Sequence, residues 1–381
     1  MVVTTNDQTR DAPAHDGRMQ PGAGEFSALV LIPAFFDVTE YERRWREGLE
    51  PDATPYGFHY AREFGVDVVF SRHSPSARSI PRRIGNKVLG IDVPHAIANR
   101  KAIAGADVVW TMLERDTMAA ALLMKTGMVT HRPIVGSVVW LANIWDTLSA
   151  PYQLFYRTLM KQATLLLVHA EPCVAKMQAI VPETPVELLH FGISDTTFAH
   201  HEDKATAASG DHVIRIVAAG NDKTRDWQTL IEAFGSHPRF HLTIVCPWLD
   251  PALVAPHANI ATPSLDGTAE LATYYRAADI VAVPMVENLF SGITVALEAA
   301  AMGTTILSTR TGGVPTYFGE SEAIFVPARD PVAMREKVLA TSAAERAQIA
   351  TRARQRFLSE DYTSRGMIRR YTEKTSRILA G

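Results

Sequence analysis

Residues 271–319 read LATYYRAADIVAVPMVENLFSGITVALEAAAMGTTILSTRTGGVPTYFG. A short amphipathic helix leads into the apolar run 280–284, a polar loop follows, and Ser291-Gly292 opens a second helix that runs from Ile293 to Met302 and stops at Gly303. A further apolar run over 304–308 ends in the Gly312-Gly313 turn. Strand, loop, helix and strand in this order form the unit of a parallel sheet, where ligands gather beyond the carboxyl ends of the strands. The loop before Ile293 therefore reads as a binding loop.

A helix start carries unpartnered backbone N–H groups and the positive end of the helix dipole, and both favour an anion. Ser291 is predicted to cap this helix, and Gly292 lets a ligand approach the backbone of Ile293 and Thr294 closely. Glu298 is a carboxylate in an otherwise apolar helix, and two adjacent sugar hydroxyls would account for it. An ordinary capped core helix is the alternative.

The 381-residue chain, 47% hydrophobic and 21% charged, is long enough for two cores of ordinary domain size. A net charge of −3 gives no sign of nucleic-acid binding, and two cysteines, Cys173 and Cys246, exclude a disulfide framework and fit a reducing cytoplasm. No apolar stretch approaches the roughly twenty residues of a membrane-spanning helix, and the N-terminus lacks a signal-peptide core. Residues 1–25, rich in Gly, Pro, Asp and Thr, read as a disordered tail.

Strands alternate with helical patterns in two series. The first series places strands at 28–33, 66–71, 106–111, 134–140 and 165–170, after which the alternation pauses; the second places them at 213–219, 241–247, 280–284, 304–308 and 323–326. The polar run between them is a linker. The expected organisation is a first α/β domain over 26–199, a linker over 200–211, a second α/β domain over 212–362, and a final helix over 363–381.

The second half resembles the nucleotide-sugar-dependent glycosyltransferases of the GT-B fold, specifically the retaining enzymes of family 4. The resemblance rests on Glu298-Ala299-Ala300-Ala301-Met302-Gly303 and Thr311-Gly312-Gly313-Val314-Pro315, and it spans about residues 27–375, weakly in the first half. Gly192-Ile193-Ser194-Asp195-Thr196-Thr197-Phe198 is similar to the segment that closes the family's first domain. Pro55-Tyr56-Gly57-Phe58 stands where the family has a Gly-rich loop facing donor and acceptor, after an unusually long insert over 35–54. The resemblance implies two Rossmann-like doubly wound parallel-sheet domains facing across a cleft, with the final helix crossing back onto the first. It also implies that Glu298 holds the nucleotide ribose. The family's first Glu, which contacts the donor sugar, is replaced here by Phe290, so that role passes to Glu287 or Asn288 as catalytic candidates, with Gly313 on the sugar side.

After the first strand of the second domain comes Gly220-Asn221-Asp222-Lys223-Thr224-Arg225-Asp226. Family members place an Arg and then a Lys here, both directed at the diphosphate whose charge develops as the sugar leaves. Arg225 occupies the Lys position, Asn221 the Arg position, and Lys223 can restore the second charge. Solvated turn charges beside Asp222 and Asp226 are the alternative.

No Asp-x-Asp triplet and no zinc spacing occur, so transfer is expected to need neither metal nor cofactor, with a nucleotide-diphosphate sugar as co-substrate. The family's cleft His, after the fourth strand, has no counterpart in Ser137 to Asp146, where Asn143 and Asp146 are the polar groups. Tyr56, Gly57, His59, Glu114 and Asn143 are the acceptor-side candidates, and His73 is a further polar group of the same region. The stretch 72–89 is locally basic, which suits either an anionic cytoplasmic membrane leaflet carrying a lipid-linked acceptor or a solvated loop. The expectation is a cytoplasmic glycosyltransferase, peripheral at the inner membrane face, acting on a glycan or lipid-linked acceptor. A catalytically silent nucleotide-sugar-binding homologue and a nucleotide-sugar epimerase on the same fold are the alternatives.

Overall fold

The computed structural model describes residues 25–73, 89–200 and 213–381. The expected tail, the linker and, apart from its ends, the basic stretch 72–89 lie outside the described residues.

Two six-stranded sheets organise the chain. In the first, β1 (Phe26–Leu31), β2 (Val66–Phe70), β3 (Val108–Thr111), β4 (Ile134–Val138), β5 (Leu165–Val168) and β6 (Val186–Leu188) lie in the order β2-β1-β3-β4-β5-β6. In the second, β7 (Ile214–Ala219), β8 (Phe240–Val245), β9 (Ile260–Ala261), β10 (Ile280–Val283), β11 (Thr305–Thr309) and β12 (Ile324–Val326) lie in the order β12-β11-β10-β7-β8-β9. All ladders between these strands are parallel. β3, β5 and β10 are buried at every position, as parallel strands must be when helices cover both faces. The chain order reverses between β1 and β3 and again between β7 and β10. At such a reversal, neighbouring strands send their loops to opposite faces and a crevice opens at their carboxyl ends.

The final helix, Ser364–Ala380, starts on the Thr363 side chain, which accepts from Gly366 N, and returns to the first sheet. Its Met367, Ile368 and Tyr371 enter the core formed by Phe58, Trp110 and Val135. Trp110 Nε1 donates to Thr375 Oγ1 at 3.0 Å, and Tyr371 OH donates to Val135 O at 2.6 Å.

The first sheet has a sixth strand, Val186–Leu188, where the sequence alternation pauses; past Leu189 the backbone leaves the ladder and Phe191 N donates instead to the Tyr317 hydroxyl of the other domain, at 2.7 Å. The segment Pro55–Phe64 that follows the insert is 3₁₀, broken at Tyr56 (φ 61°) and Gly57 (φ 73°). A Cβ on Gly57 would lie 2.7 Å from Ser364 Cβ, so the final helix presses on this turn. The insert carries the helix Val38–Arg46, capped by Asp37, and then reaches the second domain, where Thr268 N donates to Leu49 O at 3.2 Å.

Tyr371→Phe should lower the urea midpoint by the equivalent of about 1 kcal/mol, the usual net worth of one hydrogen bond, while nucleotide affinity stays unchanged. A shift in affinity without loss of stability would contradict a purely structural role.

Candidate active site

A cleft of about 540 Å³ opens between the two sheets. Its first-domain wall consists of Tyr56 and the residues just beyond β3 to β6: Met112, Leu113, Val139, Trp140, His169 and Phe191. Its second-domain wall carries Gly220, Asn221, Asp222 and Arg225 beyond β7, Val245 and Pro247 at β8, Leu271 and Tyr275, and Phe290 to Val295 with Glu298 beyond β10.

Arg225 reaches the cleft because its loop is zipped to the loop after β10. Asp226 N donates to Pro284 O at 3.1 Å and Val286 N to Thr224 O at 2.9 Å, flanking an antiparallel bridge between Arg225 and Met285. The guanidinium lies back over Gly220, where a Cβ would come within 2.2 Å of Arg225 Nε, so only glycine fits. The Arg225 side chain is 5% exposed; Asp222 Oδ2 is 3.3 Å from Nε, near enough for charge. Yet Nε and Nη1 have no hydrogen-bond partner. Asp226 is spent as the N-cap of the helix Trp227–Phe234. Lys223, expected to supply the second diphosphate charge, is exposed and does not line the cleft.

The helix Ile293–Ala301 begins at Gly292, whose φ of 90° requires glycine and where a Cβ would meet Met285 Sδ at 2.7 Å. Ser291 does not cap, contrary to expectation: it stands one residue ahead of the N-cap with its Oγ buried and unpartnered in the cleft wall. Asn288 holds the loop from within, its Oδ1 accepting from Phe290 N at 3.1 Å and Ser291 N at 2.7 Å and its Nδ2 donating to Val286 O at 2.8 Å. Gly312 N and Gly313 N donate to Asn288 O (3.0 Å) and Ser291 O (2.9 Å), which puts this turn behind the loop and outside the cleft lining. Glu287 is 68% exposed and pairs with Arg329 at 3.2 Å. Neither catalytic candidate, Glu287 nor Asn288, lines the cleft. Phe290 lines it instead, edge-on to Trp140 at 4.6 Å.

Glu298 is 7% exposed and lines the cleft. Burial pushes its carboxyl up to about 8, against the lowering influence of the neighbouring Tyr275 hydroxyl and Arg225 guanidinium. The Tyr275 hydroxyl stands beside it without closing a well-formed hydrogen bond. With Glu298 raised by burial, Asp222 is the carboxylate that pairs with Arg225.

Of the acceptor-side candidates, Tyr56 alone lines the cleft. Gly57 packs on Ser364. His59 lies 3.2 Å from Thr54 Oγ1, stacks on Tyr60, and is pushed down to about 4 by burial. Glu114 accepts from Val139 N at 3.0 Å and Trp140 N at 3.3 Å, thereby shaping the exit of β4. Asn143 Oδ1 accepts from Leu289 N at 3.1 Å across the domains. Glu114 and Asn143 are thereby engaged with backbone N–H groups, and His59 with the Thr54 hydroxyl. Sequence reading missed His169 and Tyr275, both in the cleft; for His169, the signal was a histidine closing the apolar strand β5. Among the described residues no three His, Cys, Asp or Glu side chains gather as a metal site, and no helix is long and apolar enough to cross a membrane.

Residues 198–373 match the family described as "Glycosyl transferase-like". The D-inositol 3-phosphate glycosyltransferase of Corynebacterium jeikeium (strain K411) is 49% identical over 63 residues, 16% of this chain and 15% of that protein. Its namesake from Salinispora tropica is 37% identical over 109 residues, 27% of this chain and 22% of that protein. Sucrose-phosphate synthase from Thermosynechococcus elongatus superposes with a TM-score of 0.73 at 15% identity, over 93% of this chain and 99% of that one. Anabaena HepE in complex with UDP superposes with a TM-score of 0.63 at 13% identity, over 92% and 100%. The fold is GT-B.

Burial also raises Asp116, to about 8, and Asp52, to about 6. With Glu298, these carboxyls hold protons more tightly when folded than when unfolded. The stability they confer is complete below the ordinary carboxylate range and is lost as pH rises toward about 8. The melting temperature of the unliganded protein should therefore fall between about pH 5 and about pH 8, and fall less in Glu298→Gln. Parallel curves for the two proteins would remove Glu298 from this account.

Proposed function

We propose that this chain is a glycosyltransferase that moves a sugar from a nucleotide diphosphate to a glycan or lipid-linked acceptor, with retention and without a metal ion. The observation that carries the reading is Arg225: a buried guanidinium with two unpartnered nitrogens faces a cleft that also holds a helix start and a second unpartnered donor, Ser291 Oγ. Buried polar groups of this kind are costly unless a ligand completes them, and a diphosphate supplies acceptor oxygens alone. Arg225 and the N–H groups of Ile293 and Thr294 bind the diphosphate, Glu298 the ribose hydroxyls, and Pro247, Leu271 and Tyr275 enclose the base.

In the transfer step the bond from the anomeric carbon to the diphosphate oxygen breaks with its electron pair passing to the diphosphate. The acceptor oxygen bonds to the same carbon and its proton passes to the departing phosphate oxygen. The first-domain wall offers Tyr56 and His169 as its polar groups and no carboxylate, which suits a leaving group that acts as its own base. Arg225 and the helix dipole take the part that a divalent ion plays elsewhere. Phe290 in place of a sugar-binding carboxylate favours a second reading, a silent nucleotide-sugar-binding protein.

UDP-glucose is the first donor to test, since UDP and UDP-glucose occupy structures of the same fold. Release of glucose from UDP-glucose without acceptor would reject the silent reading; binding of UDP and a panel of nucleotide sugars without any turnover would reject the enzymatic one. Arg225→Ala should cut kcat/KM by two to three orders of magnitude, about 3 to 4 kcal/mol of transition-state stabilisation. Arg225→Lys should recover much of this if charge suffices and little if the planar fork is needed. Excess EDTA should leave turnover intact, and rescue by Mg²⁺ or Mn²⁺ after a loss would overturn the metal-free step.

A further inference from the structure

His169 stands at the end of β5, on the first-domain wall opposite the diphosphate-facing groups, and is 6% exposed. Its Nδ1 is 2.8 Å from Leu189 O. A carbonyl oxygen only accepts, so Nδ1 carries the hydrogen and a neutral ring leaves Nε2 as a lone pair. That Nε2 is buried and has no partner. Burial pushes the imidazole down to about 4, with the Leu189 contact opposing, so the ring stays neutral at working pH and is too weak a base to deprotonate an alcohol.

The ring is held firmly. Phe191 meets it edge-on at 5.3 Å. The Tyr317 hydroxyl, from the second domain, donates to His169 O at 2.8 Å and accepts from Phe191 N at 2.7 Å. An orphaned acceptor on a rigid cleft wall must be met by a donor. Phosphate oxygens have none to give, and the groups that meet the nucleotide all come from the opposite domain. A sugar hydroxyl has both the proton and the reach.

We infer that His169 Nε2 accepts a hydrogen bond from a hydroxyl of the transferred sugar, making His169 a determinant of sugar recognition that acts by orienting the sugar and takes no proton. This rests on the donor reading above. Together with Phe290 and Trp140 it describes a sugar subsite with an apolar face and a single imidazole acceptor.

The test uses UDP, UDP-glucose, GDP and GDP-mannose with the wild type and His169→Asn. Asparagine places its amide nitrogen where Nδ1 stands, keeping the Leu189 contact, and removes the group at Nε2. In the wild type, one nucleotide sugar should bind more tightly than its own nucleotide. In His169→Asn that gain should shrink at least tenfold while the nucleotide alone binds within twofold of wild type. His169→Gln, whose longer side chain carries an oxygen toward the Nε2 position, should recover part of it, and the pH profile of turnover should not move. Equal weakening of sugar and nucleotide, an unchanged gain, or no gain in the wild type would each overturn the inference and leave the nucleotide site standing. Failure of the wild type to bind either nucleotide would overturn the donor reading and this inference with it.

Discussion

A guanidinium sealed into the wall of a cleft with two of its nitrogens unpartnered is an expensive arrangement, and much of the site follows from keeping Arg225 there. Gly220 has no side chain because the arginine lies across it. The loops after β7 and β10 pair with each other outside the sheet because that pairing aims residue 225 inward. Glu298 stands close enough for the Arg225 guanidinium to lower its carboxyl, and burial outweighs this and raises it. The cleft is thus built incomplete, with donors waiting for acceptor oxygens.

Holding two domains close enough to make one cleft requires contacts that neither sheet supplies. The Tyr317 hydroxyl bridges His169 O and Phe191 N, and Asn143 receives Leu289 N. The Thr316 hydroxyl receives Glu171 N at 3.0 Å. The insert after β1 adds a strap on the opposite flank, where Leu49 O receives the Thr268 N–H at the start of the helix bearing Leu271 and Tyr275. A Cβ on Gly267 would lie 2.7 Å from Leu49 Cα, so this crossing depends on glycine. Each of these bonds pairs a backbone group at a strand or helix end with the other domain, so the geometry of the cleft and the junction of the domains are one problem with one solution.

The polar loop after β10 illustrates how such economy misleads a reader of sequence. Its acid and amide, Glu287 and Asn288, look like catalytic groups, yet one faces Arg329 in solvent and the other is consumed by three loop hydrogen bonds. The position facing the other domain goes to Phe290, whose ring needs Trp140 more than it needs water.

Sequence alone determined the features that depend on local order. The continuous apolar runs of β3, β5 and β10, the helix stop at Gly303 and the strand-loop-helix-strand rhythm dictate parallel α/β sheets, because period and burial are written in neighbouring residues. The special status of Glu298 was legible for the same reason, as a charge misplaced in an apolar helix. Only the tertiary structure decided which polar side chains are left over for a ligand. Glu114, Asn143 and Asn288 are taken by backbone partners up to 146 residues away and His59 by the Thr54 hydroxyl, while His169 and Arg225 keep unpartnered nitrogens. Hydrogen-bond satisfaction is settled by distances between chain segments that the order of residues does not encode locally, and so the fold could be read from sequence where the occupancy of its donors and acceptors could not.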